Sequence, residues 1–264
     1  MLSKKTLGFL LKITIVVFAL YFLCQQLTSK KAIEGFDIAF IKQTIFENQS
    51  LVVLVFIMMF FNWLVEAIKW KFLIGKIEKV SMLTSLRAVF SGITVSVFTP
   101  NRIGEYGGRV FCLEKADRIQ GVLITVLGSM AQLLTTIFFG SMGILFLNNY
   151  IPELDKLFQE MEFAYPVMFF MLLLLNILLL LLFHNISVIS NLMDKFSWLS
   201  KYKRYKEVFT YYNTQELFFV FIFSIIRYAI FTTQFFILLK LFTVDITYLD
   251  AIILTMVMLF VISI

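Results

Sequence analysis

Long apolar runs separated by short charged stretches constrain this chain more than any other feature. Leu51–Ile74, Ile119–Leu147, Pro166–Phe183 and Leu217–Leu239 each reach the roughly 18 residues or more that a helix needs to cross a hydrocarbon core. A run at Leu7–Leu27 follows Lys4 and Lys5, with Lys12 close enough to its end to snorkel. It continues past a signal-peptide core with no small-residue cleavage site, which predicts a retained helix. Met82–Phe98 is rich in Ser, Thr and Val and holds Arg87, and a last run begins near Tyr248. With 60% hydrophobic and 15% charged residues, a soluble domain could not cover this apolar surface. No segment alternates over the roughly 10 residues of a barrel strand. The expected fold is all-α: one polytopic integral membrane domain over residues 1–264, with about six spanning helices.

The formal charge of +6 does not point to nucleic acid. Lys and Arg sit in short loops beside the apolar runs, where they set orientation and meet anionic phospholipid headgroups. Cys24 and Cys112 form no motif, and His184 reads as an interfacial residue without metal-ligand partners. No nucleophile–base pair or Gly-rich nucleotide loop is present, so neither a cofactor nor an enzymatic activity is expected.

Charge bias then tests the topology. If every run crosses once and the N-terminus is cytoplasmic, the loop with Arg102, Arg109, Lys115 and Arg118 falls outside. So does the basic 184–216 loop, while the acidic loop with Glu153, Asp155, Glu160 and Glu162 falls inside. All three placements oppose the positive-inside rule. A re-entrant helical hairpin around residues 82–113 removes the conflicts together. Backbone turning at membrane depth needs protein cover or a wet cavity, so the hairpin predicts a polar cavity.

Thr99–Arg109 would form the tip. Thr99 suits an N-cap and Pro100 a first helical position, so a helix starting there would aim its N–H groups at an anion. Gly104 and Gly108 share a face and permit close packing, and Glu105 can pair with Arg102 or Arg109. Gly128, Gln132, Thr136, Gly140 and Gly143 form a small, polar face on the run expected to cover the hairpin. Asn62, Glu66 and Lys69 share another face. There Glu66 reads either as functional or as the partner of Lys69, taken as close to the interface. Arg227 has two readings, a pairing with Glu66 or Glu105 and a substrate contact. Trp63 and Trp70 read as interface anchors. Thr99, Arg102, Glu105, Arg109, Glu66 and Arg227 form the candidate substrate-binding set.

Thr99-Pro100-Asn101-Arg102-Ile103-Gly104-Glu105 resembles the Thr-Pro-Gly-Arg-hydrophobic-Gly-Glu signature of the lysylphosphatidylglycerol synthase transmembrane-region family. Asn62-Trp63 with Glu66 and Lys69-Trp70 is similar to a pattern in its shorter stand-alone members. The resemblance implies a multi-pass protein of the bacterial inner membrane, paired re-entrant elements around a cavity, and movement of lipids or lipid-linked molecules between leaflets. It places the family's arginine and acidic positions on Arg102 and Glu105, while Asn101 stands where Gly is usual. The family's second Gly-rich signature is not found, and the final run has no charged or aromatic flank, so a chain lacking the family's C-terminal end is expected. If the final run is the first arm of a second hairpin, the two halves form an inverted repeat. The leading expectation is a lipid flippase. The alternative is a non-transporting subunit that supports a glycosyltransferase or another envelope enzyme, with its cavity packed shut.

Overall fold

The computed structural model describes residues 38–147, 164–185, 205 and 207–263. Eight α-helices and no strand occur among them. The chain divides into two compact units at Gln49/Ser50. Of the first, helix α1 (Ile38–Glu47) is described. The run at Leu7–Leu27 lies outside the described residues.

In the second unit, α2 (Gln49–Ile74), α5 (Arg118–Leu147), α6 (Ala164–His184) and α7 (Thr214–Leu241) are long and apolar enough to cross a membrane. This is a polytopic helical membrane protein. α3 (Met82–Ser96) and α8 (Tyr248–Ser263) are apolar but shorter, rising about 22 and 24 Å against a core of about 30 Å. A seven-residue helix, α4 (Gly104–Val110), follows α3.

Side-chain contacts fix the directions. Val55 pairs with Gln234, Asn62 with Arg227 and Leu73 with Tyr212, so α2 and α7 are antiparallel. Trp70 meets Thr125 and Lys69 meets Gly128, so α5 also runs against α2. Gly140 lies against Phe260 and Gly143 against Met256, so α8 runs back along α5. The helix ends carrying Lys71, Lys76, Lys79, Lys115 and Arg118 gather at one basic end, where Lys76 also pairs with Glu216.

The hairpin departs from this end and returns to it. Ser81 caps α3 by accepting from the Thr84 N–H. Just before it, the Glu78 carboxylate accepts from the N–H groups of Glu114, Lys115 and Ala116, at 3.2, 3.0 and 2.8 Å. The segments entering and leaving the hairpin are thus clasped together. Along the arms, a Cβ on Gly108 would stand 2.7 Å from the Ser91 carbonyl oxygen and 2.8 Å from the Gly92 Cα. α3 and α4 therefore touch backbone to backbone, as the glycine spacing predicted.

α2–α3 and α7–α8 are each a long helix followed by a short one, and they run in opposite senses. Opposed senses are what an inverted arrangement requires. A dry core of Trp70, Leu73, Ile124, Leu127, Leu217 and Val220 fills the bundle toward the basic end.

Candidate functional site

Asn62, Gln132 and Arg227 sit at the midpoints of α2, α5 and α7. Three polar side chains at equal depth cannot be left unpaired in a low-dielectric interior, and they find one another. The Arg227 Nε donates to Asn62 Oδ1 at 2.9 Å and its Nη1 to Gln132 Oε1 at 3.4 Å.

Glu66, one turn from Asn62, is the hub. Its carboxylate receives Lys69 at 2.8 Å, Arg109 at 2.6 Å, and Arg227. These cations come from α2 itself, α4 and α7. Lys69 is only 1% exposed and also donates to the Gly128 carbonyl and the Ser224 hydroxyl. It is therefore not interfacial, because its helix face points into the bundle. Arg109 bridges Glu66 to Glu105, and the other Glu105 oxygen takes Arg102 at 3.2 Å.

Above this network lies a cavity of about 470 Å³, walled by α2, α3, α4, α5, α7 and α8 together with Arg102 of the hairpin turn. Glu66, Arg102, Glu105, Arg109 and Arg227 line it, with Tyr228 beside Arg227. With Lys69 buried behind the wall, the network sets two carboxylates against four cations, an excess of two positive charges when all are ionised. Lys69 and the dry core close the cavity toward the basic end.

The turn between α3 and α4 differs from expectation. Thr99 is an N-cap residue and Pro100 a first helical position, as expected, but the helix they start is short and Thr99 makes no side-chain cap bond to it. Pro100–Arg102 form a single 3-10 turn, and Asn101 and Arg102 both take left-handed backbone, with φ of 52° and 57°. Asn tolerates that conformation better than most residues, so it can stand where the family signature has Gly. The Thr99 hydroxyl accepts from the Gly104 N–H at 2.8 Å, fastening the start of α4, and Thr99 is not on the cavity wall. Cations on side chains, rather than helix N–H groups, supply the positive field.

A model of one family, the lysylphosphatidylglycerol synthase TM region, matches residues 9–264, essentially the whole chain. The chain belongs to that family. No curated protein and no solved structure matches it. The lysylphosphatidylglycerol synthase TM region assignment supports a membrane protein in lipid-related processes.

Within this family member, the fold gathers Glu66, Arg102, Glu105, Arg109 and Arg227 on one cavity and leaves Thr99 off it. Both tryptophans depart from the anchor reading. The Trp70 indole N–H donates to Thr125 Oγ1 at 3.1 Å inside the core, and Trp63 lines the cavity with its ring against Phe90. Lys69, Gln132 and Tyr228 were missed as members of the site. Gln132 and Tyr228 carried the available signal, polar groups at or beside a helix midpoint.

Proposed function

We propose that the protein translocates phospholipid or lipid-linked molecules between leaflets of a bacterial inner membrane and catalyses no covalent chemistry. The carrying observation is a cavity at mid-depth with an excess of cations, closed toward the basic end. Under the positive-inside rule that end faces the cytoplasm, and Lys4 and Lys5 give the N-terminus the same side. A headgroup phosphate would meet Arg102 and Arg227 while the acyl chains stay in the bilayer. Arg109, held by both carboxylates, would keep the wall in shape. The alternative, a non-transporting subunit of an envelope enzyme, expects the cavity packed with side chains, and the open volume speaks for translocation.

The experiment is transfer of fluorescent lipid in proteoliposomes, read by quenching from one face. The wild-type protein should exceed protein-free vesicles. An Arg102→Ala, Glu105→Gln double variant should transfer at least about tenfold more slowly at an unchanged thermal midpoint, the size expected for a lost charged contact. Wild-type rates in that variant would remove the site assignment. No transfer by the wild type would remove the function.

A further inference from the structure

The charge arrangement of the cavity does more than admit a phosphate. Every carboxylate oxygen on its wall already has a cation: Glu66 Oε1 takes Arg109, Glu66 Oε2 takes Lys69 and Arg227, Glu105 Oε1 takes Arg109, and Glu105 Oε2 takes Arg102. A headgroup amine would meet only carboxylates that are already charge-compensated and would gain less there than at an unpaired one. The positive partners are less fully engaged. The Arg102 side chain is 69% exposed, with Glu105 as its one ion-pair partner among the described residues, and Arg227 is also open to the cavity.

Two donors in cavity-lining residues have no hydrogen-bond partner among the described residues: the Tyr228 hydroxyl and Arg109 Nε, in residues only 4% and 3% exposed. Both donor atoms are themselves buried, at an energetic cost that a ligand oxygen relieves once the side chains turn toward the cavity. Unmatched positive charge in a low-dielectric site likewise calls for an anion. Guanidinium groups with free edges suit phosphate oxygens in paired geometry.

We propose that the cavity selects a lipid headgroup bearing two negative charges, a phosphomonoester or a diphosphate, over a singly charged phosphodiester and over headgroups that carry an amine. The two surplus cations set the charge of the ligand, and the charge-compensated carboxylates disfavour the amine. This deepens the translocation reading and rests on it only for the ligand being a lipid.

The test is calorimetric titration of the purified full chain in detergent at pH 7.5. The probes are dioctanoyl phosphatidate, dioctanoyl phosphatidylglycerol, dioctanoyl phosphatidylethanolamine and inorganic phosphate. Phosphatidate should bind at least tenfold more tightly than phosphatidylglycerol and more tightly still than phosphatidylethanolamine. Arg102→Gln, an exposed position that folding tolerates, should cut the preference for phosphatidate over phosphatidylglycerol at least threefold.

Equal affinity for the three lipids, or tightest binding of phosphatidylethanolamine, would overturn the proposal. So would an unchanged preference in Arg102→Gln. Inorganic phosphate binding as tightly as phosphatidate would show the ligand to be the free ion and overturn the lipid assignment. Selective binding without transfer in vesicles would sink the translocation reading alone. Transfer without selective binding would sink this inference alone.

Discussion

Glu66 answers for three cations, and its removal should be felt by each of them unequally. Arg109 keeps Glu105, and Arg227 keeps Asn62 and Gln132, but Lys69 keeps only a carbonyl and a hydroxyl. Glu66→Ala therefore leaves one deeply buried ammonium without a counter-charge, at a cost of about 3–5 kcal/mol. Adding Lys69→Met, similar in length and apolar, should recover a substantial part of that loss. Unfolding titrations of both variants in mixed micelles check the pair. A double variant no more stable than Glu66→Ala would show that Lys69 is not the group left stranded. At this scale the sequence was a partial guide. It marked Glu66 and Lys69 as one face, but helical periodicity does not say how far a face is from water. In an almost wholly apolar helix, nothing distinguishes the buried side from the lipid side.

The hairpin is the element on which the site depends, and its clasp is sensitive to pH. Burial works to raise the Glu78 carboxyl, but the three N–H groups of Ala116, Lys115 and Glu114, with the Lys115 charge, outweigh it and hold it below its ordinary 4.5. A depressed carboxylate stabilises the fold fully above its unfolded value and loses that contribution as pH falls through the folded one. The thermal midpoint should therefore drop below about pH 4.5 more steeply in the wild type than in Glu78→Gln, whose side chain does not titrate. Parallel curves would remove Glu78 as the cause. The hairpin's arms make a second prediction by contrast. Gly108→Ala meets backbone atoms of Ser91 and Gly92 at 2.7 and 2.8 Å and should cost about 1–3 kcal/mol. Gly107→Ala meets nothing within 4 Å and should stabilise α4 by up to about 1 kcal/mol, measured as opposite shifts in thermal midpoint. Counting loop charges revealed that this element turns back. The turn itself was hidden, because local preferences at Thr99–Pro100 favour a helix start. Only the need to bring α4 against α3 forces Asn101 and Arg102 into left-handed backbone.

Across the whole molecule, the limits of the long apolar helices were legible to within about three residues, because hydrocarbon thickness sets them and hydropathy reads it directly. The pairing of helices was legible only in part: an Arg227–Glu66 pair was one of two readings, while the contacts of Arg227 to Asn62 and Gln132 join positions 165 and 95 residues apart that no local pattern links. The seal on the basic side is a property of that pairing. If lipid passes, α2 and α5 must part where Leu73 lies 3.0 Å from the Cβ position of Gly128. In a background with Cys24→Ser and Cys112→Ser, a disulfide between Leu73→Cys and Gly128→Cys should stop transfer, and reduction should restore it. Undiminished transfer in the oxidised protein would mean the seal stays shut throughout.

The three midpoint residues carry a last consequence. A polar group resting beside Asn62, Gln132 and Arg227 has about 15 Å of hydrocarbon on either side. Geometry alone then gives neither surface an advantage. Any bias in direction must come from what the two surrounding faces hold, the lipid supply or the voltage between them.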